Sequence, residues 1–238
     1  MARGRFVTAV AAMALLGVGM AWPATGPVWL LGVPAAEAAP SLSEVVDGVR
    51  ETCAHTQDLS AHFEQVTSIR SLNQEQRGNG ILLLKRPRKM RWEYQKPEPL
   101  LFVTDGKTLW AYSSVDKQVV VQDVGEAFAS RLPISILAGD CQLRRDFEIS
   151  EIENAATRSS ASFMLLDLRP KYPEAGITRM LLEVNLKGYT IEQITVFDPS
   201  GNTNVYRLTN LKLNPGLRDD QFQFTPPAGV TVVTPPRP

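Results

Sequence analysis

Apolar residues recur along this chain with two different periods, and the change from one to the other marks out its elements. Between residues 41 and 57, Leu42, Val45, Val46, Val49 and Cys53 fall three or four positions apart, which predicts an amphipathic helix. Ser41 stands where an N-cap belongs, and Glu44 follows at the spacing of a capping box. Past this helix the period drops to two. Leu59, Ala61 and Phe63 alternate with Ser60, His62 and Glu64, so the next element is a strand with one apolar face.

The pattern is strongest over residues 80–112. Met90, Trp92 and Tyr94 alternate with Arg91, Glu93 and Gln95. On the preceding strand Leu82, Leu84 and Arg86 share one face, and Ile81, Leu83 and Lys85 the other. Asp105-Gly106 predicts a type I′ hairpin turn between 100–104 and 108–112, because Asp-Gly supplies positive φ at low cost. Gly78 and Gly80, with Asn79 between them, predict the turn that leads into this stretch.

A further strand is predicted at 117–122, after which residues 124–140 return to a helical period. Pro133 interrupts them, so Ile134 and Leu137 fall on the second of two short helices. Strands resume at 147–152, 163–168, 179–186, 189–197, 204–213 and 222–224. About ten or eleven strands, one long helix and one helical insertion predict a mainly β fold with an α lid. The sheet would be large, curved and antiparallel, a half-open barrel covered by the first helix and the insertion.

At the N-terminus, Arg3 and Arg5 precede an apolar run, and Ala36 and Ala38 place small residues at the two recognition positions of a signal peptidase. Residues 1–38 are therefore expected to be a cleavable signal peptide and 39–238 a single mature domain. Pro23, Pro27 and Pro34 interrupt the apolar segment before it reaches the ~20 residues that a spanning helix needs. Removing residues 1–38 takes away Arg3, Arg5 and Glu37, leaving 23 basic and 24 acidic residues and a formal charge of −1. That balance argues against nucleic acid as a partner.

Candidate chemistry is sparse. The chain has two histidines, His55 and His62, and neither a G-x-S-x-G elbow nor an H-E-x-x-H motif. Cys53 and His55 are two apart on a helix and so point to different faces. The spacing of Cys53 and Cys141 matches none of the common zinc patterns. Two readings of the cysteines stay open: small apolar residues, or a disulfide, which an oxidising compartment permits. No enzyme, metal or cofactor is predicted. The aromatic residues on strands, Trp92, Tyr94, Phe102, Trp110 and Phe163, either fill a core or line a cavity.

Lys85-Arg86-Pro87, then Arg91-Trp92 with Tyr94 two residues on, then VTDGKTLWAY over residues 103–112 resemble the LolA family of periplasmic lipoprotein carriers. The similarity runs from about Leu42 to the FTPPAGV stretch at 224–230. It implies a periplasmic, monomeric carrier whose helices form a lid over an apolar cavity. Such a carrier receives acylated lipoproteins from an ATP-driven inner-membrane complex and delivers them to an outer-membrane receptor or the outer membrane itself. By the same resemblance Arg86 is the lid latch and Trp92 and Met90 are cavity residues. Tyr94, Leu82, Leu84, Val49, Cys53, Leu59 and Phe63 complete the lining, with Ile134 and Leu137 from the lid. A lipid- or lipoprotein-sensing domain on the same fold is the alternative reading, ahead of a periplasmic hydrolase.

Overall fold

The computed structural model describes residues 39–127, 136, 141–152, 162–172 and 176–235. The proposed signal segment, and Ile134 and Leu137 of the insertion, lie outside the described residues. Residues 39–238 form one compact unit.

Helix α1 spans Leu42–His55, and both hydrogen bonds of its capping box are present, Ser41 with Glu44. Val45, Val46 and Val49 are buried, the stripe that the three-and-four spacing requires. The helix is seated by Tyr189, whose ring lies so close to Gly48 that an added Cβ would come within 2.5 Å of it. Thr52 also donates to the carbonyl of Gly188 at 3.1 Å.

Among the described residues twelve strands follow: β1 (Asp58–Ile69), β2 (Gln74–Lys85), β3 (Lys89–Lys96), β4 (Leu100–Asp105), β5 (Thr108–Ser113), β6 (Gln118–Asp123), β7 (Phe147–Glu151), β8 (Phe163–Pro170), β9 (Arg179–Asn185), β10 (Thr190–Phe197), β11 (Thr203–Leu213) and β12 (Thr231–Val233). They make one open sheet in the order β12-β6-β5-β4-β3-β2-β1-β11-β10-β9-β8-β7. Strands β1 and β11 meet at its centre, so the chain builds one wing, crosses to the far edge through the insertion, and returns. Two short helices flank that crossing, α2 (Val124–Ala127) and α3 (Leu143–Asp146).

Register carries one largely apolar face from β4 to β8. Phe102 pairs with Trp92, Trp92 with Leu82 and Leu82 with Ala61. Along the same face Gln65 pairs with Tyr206, Tyr206 with Ile194, Ile194 with Leu182 and Leu182 with Leu166. This is the inner face, against which α1 packs. Irregular pairing at Ser60/His62, Asn79/Gly80 and Ile191/Gln193 adds the local twist that curves a wide sheet.

Three local expectations are corrected. Gly78 and Gly80 are not a turn: they lie inside β2, and the reversal is a short 3₁₀ turn at Arg70–Leu72 with Asn73 left-handed (φ 48°). A Cβ at Gly80 would sit 1.8 Å from the Glu93 carbonyl oxygen, so glycine there serves close approach between strands. The hairpin of β4 and β5 turns at Gly106-Lys107, where only Gly106 is left-handed (φ 99°), which excludes type I′. Asp105 accepts from the amides of Lys107 and Thr108 at 2.8 and 2.9 Å. Finally, Phe222–Phe224 is not a strand. Residues Asp219–Phe222 form a 3₁₀ turn, and the last strand, β12, lies further on and pairs parallel to β6.

This C-terminal segment runs as a strap over the outer face of β3–β6. Phe222 is fully buried, together with Val103 and Val119, and Phe224 packs near Trp110 and Tyr112. Asp58 fixes the near end by accepting from the amides of Gly216 (3.0 Å) and Leu217 (3.1 Å). Lys85 and Lys89 hold Asp219 at 2.7 and 2.9 Å.

Candidate functional site

The inner face carries two apolar clusters. In the first, Val45, Val46 and Val49 of α1 pack on Leu166, Leu168, Met180, Leu182, Val184 and Ile194 of β8–β10, with Ile136, Cys141 and Leu143 beside them. In the second, Leu59, Phe63, Leu82, Leu84, Met90 and Trp92 pack with Tyr94 and Phe102. Tyr206 touches both. The rings of the second cluster meet mostly edge to face: Phe63 with Trp92 at 5.1 Å, Phe63 with Tyr94 at 4.9 Å and Trp92 with Tyr206 at 5.5 Å between centroids. Gly78 and Gly80 leave room for the Tyr94 and Phe63 rings.

Between the clusters, under the C-terminal end of α1, lies a cleft of about 60 Å³ lined by Val49, Cys53, Leu59, Leu84, Ile136, Ile191 and Leu211, with Arg86 at its rim. Ligand pockets run to about 300–1,000 Å³, so this cleft is smaller than a ligand pocket, and the packed side chains of the inner face lie where a large apolar guest would have to go.

Arg86 spans the rim. It follows β2, and its Nη2 donates to the carbonyl oxygen of Cys53 at 2.8 Å. That carbonyl lies in the last turn of α1, where it also accepts from the Thr56 amide at 3.2 Å and the helix dipole favours a cation. Cys53 is itself joined to Cys141 in a disulfide, with Cα atoms 6.3 Å apart, and both sulfurs lie against the Ile136 carbonyl oxygen, at 4.0 and 3.2 Å. The arginine therefore bonds the helix, and the disulfide bonds that helix to the end of the insertion.

The sequence-predicted residues divide accordingly. Leu59, Phe63, Leu82, Leu84, Met90, Trp92 and Tyr94 meet in the second cluster, Val49 and Cys53 belong to the first, and Arg86 bridges them. Trp110 and Phe163 fall on the opposite face, by their pairing with Val103 and Asn185. Sequence reasoning missed Tyr206, Ile191 and Leu211, although alternation along β10 and β11 held the signal. It also missed a polar group at the far end of β1. Gln65 accepts from the Tyr94 hydroxyl at 2.6 Å and donates to Asn204 (2.9 Å), Thr67 (3.1 Å) and Tyr206 (3.4 Å). Thr67 donates in turn to Asn204. Burial raises the pKa of Tyr94, the neighbouring Tyr206 phenol adds to the rise, and Trp92 opposes it.

Among the described residues no group of three or more histidine, cysteine or acidic side chains is placed to hold a metal ion, and no helix is long and apolar enough to cross a membrane.

An open sheet with an apolar, aromatic inner face, partly covered by a helix that Arg86, Arg144 and a disulfide tie down, defines a ligand-holding β-protein. Residues 54–225 match the family described as outer membrane lipoprotein carrier protein LolA, and the chain belongs to that family. It is 31% identical over 188 residues to an outer-membrane lipoprotein carrier protein of Dechloromonas aromatica (strain RCB), covering 79% of this chain and 86% of the relative. A second, from Methylobacillus flagellatus, is 30% identical over 79% of this chain and 88% of its own length. Among solved structures, an uncharacterized conserved protein from Thermus thermophilus shares the fold with a TM-score of 0.52 at 17% identity, over 82% of this chain and all of that one.

Proposed function

We propose that residues 39–238 are a periplasmic carrier, exported by a signal peptide over residues 1–38, that shields the acyl chains of lipoproteins released from the inner membrane and delivers them to the outer membrane. The family and its named relatives support lipoprotein carriage, and the apolar inner face supplies the surface such cargo requires. Each acyl CH₂ left in water costs ~0.8 kcal/mol, so the chains must be covered throughout the crossing. A carrier adds no chemistry to its cargo, and the reading assigns none.

The observation that carries the mechanism is the Arg86 to Cys53 hydrogen bond across the rim of the cleft. Loading requires α1 to lift from β2, which breaks this bond. Re-forming it on emptying favours release. Arg86→Leu removes the donor and puts an aliphatic group at the rim, so the closed, empty state loses about 1–3 kcal/mol while the loaded state keeps its contacts. The expected outcome in a two-step transfer assay is normal loading and poor hand-over to an acceptor membrane or receptor. Normal hand-over, or a defect in loading alone, would mean that Arg86 is not the latch.

A further inference from the structure

Among the described residues the indole Nε1 of Trp92 is buried and has no hydrogen-bond partner, in a residue only 5% exposed. A buried donor left unpaired forfeits its hydration without return, and such groups are rare in folded proteins. Trp92 sits where the aromatic part of the inner face meets the polar group of Gln65, Tyr94 and Tyr206. Its ring stacks on Tyr94 at 6.3 Å and meets Tyr206 edge to face at 5.5 Å. The indole is near enough to the Tyr94 hydroxyl to oppose the rise in its pKa, yet no hydrogen bond joins the two. That hydroxyl is instead turned to the Gln65 carbonyl.

Position along β1 gives the inner face a direction. Leu59, at the start of the strand, lines the cleft beneath α1. Phe63 lies in the aromatic cluster, and Gln65 and Thr67 beyond it carry the polar group. The face is thus graded from aliphatic through aromatic to hydrogen-bonding, as a molecule with apolar tails and one polar junction would require.

We propose that the Trp92 end of this face is a subsite for the carbonyl oxygen of an acyl linkage, with the Trp92 indole N–H as its donor. The acyl chains would extend along β1 towards the cleft under α1. This rests on the carrier reading above and adds to it which way the cargo lies and which atom holds it.

The test compares a short-chain diacyl phosphatidylcholine with the dialkyl ether analogue of equal chain length, both below their micellar concentrations, on the full chain. The two probes differ at the carbonyls alone, so the ester should bind about tenfold tighter, the worth of one hydrogen bond to an otherwise unpaired buried donor. Trp92→Phe keeps an aromatic ring and loses the N–H, so the two affinities should converge. On the unaltered protein, the ester should move the Trp92 indole proton resonance downfield and the ether should not, a readout independent of how well the variant folds. Equal binding of the two probes with no indole shift would overturn the subsite and leave the carrier reading standing. Binding of neither probe would overturn both.

Discussion

The two wings of the sheet are covered on opposite faces. On β8–β10 the cover is α1, laid on the inner face, and the core beneath it is aliphatic and closed: Val45, Leu166, Leu168, Met180, Leu182 and Ile194 are each 0% exposed. On β3–β6 the cover is the C-terminal strap, laid on the outer face over Val103 and Val119. The inner face of that wing is left to rings that pack on one another and on a polar group. The difference separates what holds the fold from what can open. In the mechanism proposed above, lifting α1 at Arg86 would widen the cleft between the two wings, which Val49 and Cys53 of α1 line together with Leu59 and Leu84, while the strap stays on the outer face of β3–β6.

The largest effect expected concerns the disulfide, which belongs to the helix-covered side. Cys53 and Cys141 are 88 residues apart, and closing a loop of that length in the unfolded chain is worth up to about 4.6 kcal/mol. The paired variant Cys53→Ala/Cys141→Ala should lose a comparable amount in urea unfolding. Because the bond also makes α1 and the end of the insertion move together, the variant should load acyl probes faster than the oxidised protein. Unchanged stability and unchanged loading would show that the two segments are not coupled through it.

A smaller effect discriminates between the wings directly. Leu182 is enclosed beneath α1, so Leu182→Ala should cost about 3 kcal/mol with no change in acyl binding once folded. Leu84 borders the existing cleft, so its truncation enlarges a space that already exists, and Leu84→Ala should cost about 2 kcal/mol while altering probe affinity. Equal costs and equal affinities for the two variants, by urea unfolding and probe titration, would remove the distinction between a closed wing and an adaptable one.

Much of this division is legible in the sequence. The capping box at Ser41 and Glu44, the helical spacing of Val45, Val46 and Val49, and the alternation of Met90, Trp92 and Tyr94 specify elements and faces because each is local. Gln65 and Thr67 continue the face of Leu59, Ala61 and Phe63 by position alone, so a polar end to the inner face was within reach of the same alternation. What was not legible depends on distant partners. Gly80 reads as a turn residue until the Glu93 carbonyl and the Phe63 ring are brought against it. Phe222 and Phe224 read as a strand because two-residue spacing cannot distinguish pairing in a sheet from lying across one. The meeting of Cys53 with Cys141 depends on how α1 and the insertion dock, which no spacing records.

The smallest expected effect tests whether the strap is a cover independent of α1. Asp219 accepts from Lys85 and Lys89, and these hydrogen bonds hold its pKa at about 2 against an ordinary 3.8. A depressed carboxylate stabilises the folded form above its unfolded pKa, and the contribution disappears as pH falls through the folded value. The strap's tie should therefore be complete above about pH 4 and lost towards about pH 2. Amide exchange, corrected for its intrinsic pH dependence, should show protection falling over that interval at Val232 and Val233 of β12 and around Phe222, while Val45 and Val49 of α1 keep theirs. Asp219→Asn should lower protection of the strap at neutral pH and abolish the step, because a neutral amide cannot make two charge-assisted pairs with Lys85 and Lys89. Asp219 is exposed and its ion pairs face solvent, so raised salt should imitate part of the loss. Parallel loss of protection in α1 would mean that the two covers open as one, and the separation between a fixed outer seal and a movable inner one would fall.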